Sequence, residues 1–122
     1  MDRQTVRRQL VAHLPSQLAD ELLTAHEDAK KAFYLGGLRL AEVEGGRFCE
    51  AVFRILEFAT TGAYTALGQQ LDTDRMIRQL GQLPATAQSD SIRLHIPRSL
   101  RLVYDIRNKR DAAHLADGID PN

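Results

Sequence analysis

Apolar residues recur at every third or fourth position along most of the chain, and this spacing constrains the fold more than any other feature of the sequence. It is most regular in one central stripe, which contains Phe48, Cys49, Val52, Ile55, Leu56 and Ala59. Because an α-helix turns once in about 3.6 residues, side chains at this spacing share one face. The stripe therefore predicts a core helix from about Ala41 to Ala59.

Two helices are predicted upstream of this core helix. A short one is expected at Gln4–His13, where Leu14-Pro15 would end it, because the residue before a proline disfavours helical geometry. A longer amphipathic helix is expected after Pro15 and up to about Tyr34, with Gly36-Gly37 as its stop.

Downstream, the residues from Thr60 to Gln70 carry two glycines and no helical period, so they are expected to form a loop. Asp72 is placed to cap a short helix that ends at Gly81. No run of residues shows the sustained alternation of apolar and polar side chains that predicts a strand. The expected fold is therefore all-α, an antiparallel bundle of four to five helices.

A last long helix is expected between the polar loop Pro84–Asp90 and a point near His114. Helical spacing begins at Ser91, and Pro97 would lie in the first turn of the main part of this helix, where a missing N–H costs little. Its apolar stripe is Ile92, Ile96, Leu100, Val103 and Tyr104. At the same spacing the stripe continues as Arg107, Asp111 and His114, so the apolar face becomes polar near the end of the chain.

A chain of 122 residues with 43% hydrophobic residues is large enough for one helical core. We therefore expect residues 1–122 to form a single domain, which is either the whole protein or a module of a longer one. The single Cys49 excludes an intramolecular disulfide, and no secretory leader is recognisable, so a cytoplasmic location is expected. Charges interrupt even the most apolar stretches, such as Ala51 to Phe58, so no membrane span is predicted.

The formal net charge is zero, which gives no reason to expect a general attraction to nucleic acid. The charges are nevertheless unevenly distributed. From Asp20 to Glu57 eight acids oppose five bases, whereas from Ser89 to His114 six bases oppose three acids. The second region is interpreted either as an anion-binding face or as a basic helix that only faces solvent.

Arg107 and His114 are the candidate catalytic residues. They are seven residues apart, so on one helix they would point the same way with about 10 Å of axial rise between them. A histidine can take or give a proton near neutral pH, and a guanidinium can stabilise negative charge on a phosphate. This pair suits metal-independent cleavage of RNA by attack of the ribose 2′-hydroxyl. The open alternative is a surface ion pair of Arg107 with Asp111 beside a solvated His114.

Three neighbouring residues would assist such a site. The amide of Asn108 would orient the imidazole or contact a phosphate oxygen, and Lys109 and Arg110 would add positive charge for adjacent phosphates.

The segment from Tyr104 to His114 resembles the signature of the HEPN superfamily of bacterial and archaeal helical proteins. In that signature an arginine is followed by a polar residue and, after a gap of four to six positions, by a histidine. Here Asn108 is the polar residue, and six residues separate Arg107 from His114. The stretch Glu44-Gly45-Gly46-Arg47-Phe48-Cys49-Glu50 is similar to an earlier helix of bacterial members. The resemblance covers roughly Pro15 to Asn122.

This resemblance implies a HEPN-like bundle that forms a homodimer, with the arginine and histidine of both protomers in one cleft. It implies an endoribonuclease that leaves a 2′,3′-cyclic phosphate and a 5′-hydroxyl, in a toxin–antitoxin, abortive-infection or antiphage defence role. Arg107 would bind phosphate, His114 would transfer protons and Asn108 would support them, without a cofactor or metal. The implied partners are RNA, a second copy of the chain, and an antitoxin or a fused or adjacent sensor domain.

A different class of function stays open, namely a non-catalytic module that binds RNA or a nucleotide, or only dimerises, and regulates a partner. The other chemistry-bearing residues are interpreted as structural. His13, His26 and His95 are not at metal-ligand spacing, and Cys49 lies on the apolar stripe as a small core residue. Gly45-Gly46 is explained by close helix packing or a helix end.

Overall fold

The computed structural model describes residues 2–34 and 38–103, with the side chains of residues 38–44 excepted. Within these ranges the chain is helical and contains no strand, which confirms the all-α class. The helices, in chain order, are α1 (Arg3–Val11), α2 (Ser16–Tyr34), α3 (Leu38–Thr61), α4 (Thr73–Gly81) and α5 (90–103), in which the π-helical turn Ser91–His95 leads into an α-helix at 96–103. None of these described helices is long and apolar enough to cross a membrane.

Side-chain caps explain where two of the helices begin. The carboxylate of Asp2 accepts the backbone N–H of Thr5 at 2.8 Å at the start of α1. Asp72 accepts the N–H of Arg75 at 3.0 Å at the start of α4, as the sequence predicted. Each carboxylate satisfies a backbone donor that has no partner within the first turn.

The core helix α3 is longer than the predicted span Ala41–Ala59. At its C-terminal end the hydroxyls of Thr60 and Thr61 donate to helix carbonyls, at 2.9 Å for the shortest bond of Thr60 and 2.8 Å for that of Thr61. Gly62 then adopts a φ of 80°, a left-handed conformation that glycine reaches without strain. The helix therefore ends at this glycine.

Helices α2 and α3 pack side by side in opposite directions. Arg47 of α3 donates to both carboxylate oxygens of Glu21 at 2.8 and 2.9 Å, and to Asp28 at 3.0 Å. At the other end of the pair, the hydroxyl of Tyr64 donates to Gln17 at 2.9 Å. This antiparallel pair forms the centre of the fold, with α1 packed on α2 and α4 packed on α3.

Phe53 lies at the centre of the core. It is fully buried and packs with Leu71 and Met76, and Ile77 and Leu100 pack against this cluster from outside. The five side chains come from α3, the loop before α4, α4 itself and α5. One aromatic side chain thus joins the central helix pair to the C-terminal part of the fold.

Two charged residues of α3 hold the loop that connects it to α4. Arg54 is only 5% exposed, and its guanidinium donates to the backbone carbonyls of Thr65, Ala66 and Gln69 at 3.0, 3.2 and 2.7 Å. Glu57 accepts the N–H of Thr65 at 2.6 Å. The segment is irregular, as the sequence predicted, but it is firmly attached to the helix that precedes it.

Helices α4 and α5 form a second antiparallel pair. At one end, Arg101 lies 3.7 Å from Asp74. At the other end, a methyl group built on Gly81 would lie 3.9 Å from Leu94. Asp74 and Gly81 are seven residues apart on α4, and their partners are seven residues apart in the reverse order on α5, so the two helices run in opposite directions.

Pro97 occupies a different place from the one predicted, because α5 begins well before it. The π-helical turn upstream contains a hydrogen bond from the N–H of Ile96 to the carbonyl of Ser91, five residues back. In a regular α-helix the proline ring would clash with the carbonyl of Arg93. The wider π turn relieves that clash, so the proline lies inside a helix instead of at its start.

The π turn also changes which side chains of α5 face the core. An extra residue in one turn rotates everything after it by about 100° relative to regular helical spacing. Pro97 is therefore fully buried, while Ile96 and Val103, which the sequence placed on the apolar stripe, are 37% and 49% exposed. Leu100 keeps its predicted place against the core.

Candidate functional site

The residues that the sequence singles out for catalysis and RNA binding lie outside the described residues; they are Arg107, Asn108, Lys109, Arg110 and His114. The description of α5 reaches Val103, four residues before Arg107. Two surfaces of the described part adjoin α5, the last element that the structure describes before Arg107.

One of these surfaces is an apolar groove between α3 and α5, with a volume of about 370 Å³. Its lining residues are Gly45, Phe48, Cys49, His95, Ile96, Ser99, Leu100 and Val103. Its edges carry the partly exposed Ile96 and Val103, and Leu102 beside them is 64% exposed. Exposed apolar side chains concentrated next to a groove are typical of a surface that contacts another molecule or segment.

A second surface is formed by the exposed arginines of α4 and α5, which we call the arginine surface: Arg75, Arg78, Arg98 and Arg101. Arg101 pairs with Asp74 at 3.7 Å. The remaining three arginines make no ion pair with any residue in the described ranges.

Arg93, on the same helix pair, has a different role. Its side chain is 15% exposed, and it donates to the carbonyl of Leu83 at 2.6 Å and to Asp90 at 2.7 Å. It therefore closes the turn between α4 and α5 and is neutralised there. Arg93 is one of the six bases from Ser89 to His114 that predicted a possible anion-binding face. Because its guanidinium already bonds within the fold, the structure does not support that role for this residue.

The stretch that resembles an earlier HEPN helix, Glu44 to Glu50, lies within α3. Arg47 is used structurally, since it joins α3 to Glu21 and Asp28 of α2. Gly46 is buried, whereas a methyl group on Gly45 would meet no atom of the described residues within 4 Å. Close packing thus explains the glycine at position 46, but it does not explain the glycine at position 45. The ion pairs of Arg47 were missed because they join residues 19 and 26 positions apart.

The thiol of Cys49 is buried on α3, as its place on the apolar stripe predicted. Burial, together with the negative charge of Glu50, raises the pKa of this thiol above its usual value. It therefore stays protonated at neutral pH and is a poor nucleophile. The apolar stripe in the sequence therefore predicted the buried position of this thiol.

The histidines of the described ranges lie apart from one another. His13 lies exposed in the turn after α1, and His26 contacts Phe48 with ring centroids 6.0 Å apart. His95 lines the apolar groove. Across residues 2–34 and 38–103, no three side chains of metal-ligating type come together.

Another cavity, of about 230 Å³, lies between the end of α3 and α4. It is lined by Glu57, Thr60, Thr61, Met76, Gln79, Leu80 and Leu83. The carboxylate of Glu57 is already occupied by Thr65, and both threonine hydroxyls bond to backbone carbonyls of α3. The polar groups around this cavity therefore serve the local fold.

Comparisons of the chain with models of protein families, with curated proteins and with solved structures found no match.

Proposed function

We propose that the protein is a metal-independent endoribonuclease of the HEPN type, in which Arg107 binds the scissile phosphate and His114 transfers protons. Asn108 supports the pair, and Lys109 and Arg110 contact neighbouring phosphates. The observation that carries the proposal is the pattern of arginine, asparagine and histidine from Arg107 to His114, at the end of the last helix that the sequence predicts, in a chain whose described part is all-α.

The proposed chemistry uses only groups of this chain. The imidazole of His114 takes the proton from the ribose 2′-hydroxyl, whose oxygen attacks the adjacent phosphorus and expels the 5′-oxygen of the next nucleotide. The guanidinium of Arg107 stabilises the negative charge that builds up on the phosphate oxygens. The products are a 2′,3′-cyclic phosphate and a 5′-hydroxyl.

The apolar groove beside α5 supports the homodimer that this proposal includes. One face of the molecule carries both a recess of about 370 Å³ and two exposed apolar side chains that line it, Ile96 and Val103. A two-fold symmetric contact needs a surface that fits itself, and a face with both recesses and projections meets that requirement. Val103 precedes Arg107 by four residues, so a dimer through this face would bring the two copies of the candidate segment close together.

The biological role proposed with this activity is that of a cytoplasmic toxin, abortive-infection or antiphage defence component. Its further partner would be an antitoxin or a sensor domain, fused or encoded nearby. An endoribonuclease without such control would degrade the RNA of its own cell, which is why the proposal includes a neutralising or triggering partner.

The test is to incubate the purified protein with single-stranded RNA in EDTA, and to compare it with Arg107→Ala and His114→Ala. The proposal expects cleavage by the unmodified protein and a loss of about 100-fold or more in each variant, since general acid–base catalysis contributes about 10²–10⁴-fold. His13→Ala is the matched control, because His13 is exposed in a turn at the other end of the chain. Circular dichroism of each variant establishes that the fold is retained.

Absence of cleavage, or cleavage that His114→Ala leaves undiminished, would refute the catalytic proposal. RNA binding without turnover would instead favour the non-catalytic RNA-binding module. The arginine surface is the observation that supports this second function, because its residues do not belong to the candidate catalytic pair.

A further inference from the structure

In the described part of the molecule, acidic and basic residues are unevenly distributed among the helices. From residue 2 to residue 72 there are ten acidic and eight basic residues, whereas from residue 73 to residue 103 there are two acidic and five basic residues. The net charge is therefore −2 for the first part and +3 for the α4–α5 pair. Positive charge that is concentrated on one helix pair creates a local attraction for anions, even in a neutral protein.

Four arginines of the first part, residues 2–72, already bond to other groups of the protein. Arg3 bonds to Glu27 at 2.6 Å, Arg7 bonds to Asp20 at 2.7 Å, and Arg47 bonds to two carboxylates of α2. Arg54 is buried on backbone carbonyls. These guanidinium groups have intramolecular acceptors and contribute little to an external anion site.

The arginine surface differs in this respect. Arg75, Arg78 and Arg98 are exposed and have no carboxylate partner within the described residues, whereas Arg101 lies 3.7 Å from Asp74. Because α4 and α5 are antiparallel, the two contacts of this pair put Arg78 level with Pro97 along the helix axes, one residue from Arg98 in the sequence. Along each helix the two arginines are three residues apart, which is a rise of about 4.5 Å.

We infer that this surface binds the phosphate backbone of single-stranded RNA. The choice of RNA as the ligand rests on the proposed function, but the surface itself is independent of Arg107 and His114. Guanidinium groups on two helices whose axes are about 8–10 Å apart can contact several phosphates of one strand. The surface offers charge without aromatic side chains for stacking, so it holds the strand and does not read its sequence.

The position of the surface along the chain fits this role. Arg98 and Arg101 are on the helix that precedes the candidate catalytic segment, and Arg107 follows Arg101 by only six residues. An RNA strand held on α4 and α5 would be kept near that segment, so the arginine surface would raise the local concentration of substrate and contribute to KM more than to kcat.

The test measures binding of a fluorescently labelled single-stranded RNA of mixed sequence to the full chain by anisotropy, from 50 to 300 mM salt. The double variant Arg78→Gln with Arg98→Gln is compared, in a His114→Ala background that prevents cleavage. The matched control is Arg8→Gln with Lys30→Gln, which removes the same charge from exposed positions of α1 and α2.

The magnitude follows from the release of counterions. Each phosphate contact on single-stranded nucleic acid contributes about −0.7 to the slope of log K against log salt, so at 0.1 M salt each contact strengthens binding about fivefold. Losing two arginines is therefore expected to weaken binding about 25-fold and to make the slope shallower by about 1.4. The control double variant is expected to change the slope by less than half of that.

Equal affinity and slope for the arginine double variant and its control would overturn the inference, and so would absence of RNA binding altogether. Binding to vesicles containing phosphatidylserine, without binding to RNA, would assign the surface to an anionic membrane and would also overturn it. Failure of the proposed catalysis is a separate result, because cleavage by the unmodified protein in EDTA is measured in its own assay. A chain that binds RNA through the arginine surface but does not cleave it keeps this inference and loses the proposed reaction.

Discussion

Replacing Arg54 with methionine tests whether the loop between α3 and α4 is held by one buried guanidinium. Methionine keeps an unbranched apolar stem of similar length, so the packing of the alkyl part is largely retained. The change removes three hydrogen bonds, to the carbonyls of Thr65, Ala66 and Gln69. Its effect therefore reports mainly on those bonds.

The expected loss in the free energy of unfolding is about 2–4 kcal/mol. A hydrogen bond to a charged group contributes about 1.5–3 kcal/mol, which would give a larger total for three bonds. Two effects make the expected loss smaller than this total. Water can replace the guanidinium at Ala66 and Gln69, which are exposed, and the variant no longer bears the cost of burying a charge.

Urea unfolding followed by far-UV circular dichroism measures this loss. With a denaturant slope of about 1.5 kcal/mol per molar, the midpoint is expected to fall by about 1.3–2.7 M. Chymotrypsin should also cut the loop faster at Tyr64 and Leu67, because the backbone around them is released. Arg75→Met is the matched control, and its exposed position predicts a change within about 0.5 kcal/mol.

A loss below about 1 kcal/mol for Arg54→Met, with unchanged proteolysis of the loop, would show that the buried guanidinium does not hold the loop. Arg54→Lys provides a graded check. A lysine ammonium keeps the charge but lacks the planar fork of donors, so an intermediate loss is expected.

Four further predictions concern individual residues of the described part. Gly45→Ala should raise the free energy of unfolding by about 0.5–1 kcal/mol in urea titrations, because the added methyl group meets no described atom within 4 Å and alanine favours a helix. Phe53→Ala should lower it by about 3–5 kcal/mol, because Phe53 is the fully buried centre of the core. The hydrogen bond from Arg7 lowers the pKa of Asp20. The ionised Asp20 therefore stabilises the fold above the ordinary carboxyl range, and this stabilisation is lost as the pH falls through the lowered pKa. The difference in Tm between the unmodified protein and Asp20→Asn should accordingly shrink below about pH 4. Iodoacetamide should label Cys49 slowly at pH 7.5 and rapidly in urea, since burial raises the pKa of the thiol.

The helices of the first part of the fold were predictable because local signals agree there. Asp72 as a cap, Pro15 as a boundary and the apolar stripe from Phe48 to Ala59 each act over a few residues, so their effect is visible in the sequence. Asp72 and the stop before Pro15 are found where the spacing indicated. The end of α3 was misplaced only by two residues, because Thr60 and Thr61 bond to the helix carbonyls and extend it.

The orientation of α5 was not predictable from spacing alone. Regular periodicity assumes a constant turn, and the π turn before Pro97 breaks that assumption, so Ile96 moved from the expected buried face to a partly exposed one. The partners of Arg93 were missed for a related reason, since the loop geometry that brings Leu83 next to it has no periodic signal. The candidate site, from Arg107 to His114, stays a prediction from sequence pattern and resemblance.

The end groups of the cleaved RNA distinguish attack by the ribose 2′-hydroxyl from every other route of cleavage. Products formed in EDTA are analysed by mass spectrometry, for an all-ribose strand and for the same strand with a 2′-deoxy nucleotide on the 5′ side of the main cleavage position. The account predicts a 2′,3′-cyclic phosphate and a 5′-hydroxyl from the ribose strand, and no cleavage at the deoxy position, because the attacking hydroxyl is missing there. A 5′-phosphate product, or cleavage at the deoxy position at an unchanged rate, would contradict it.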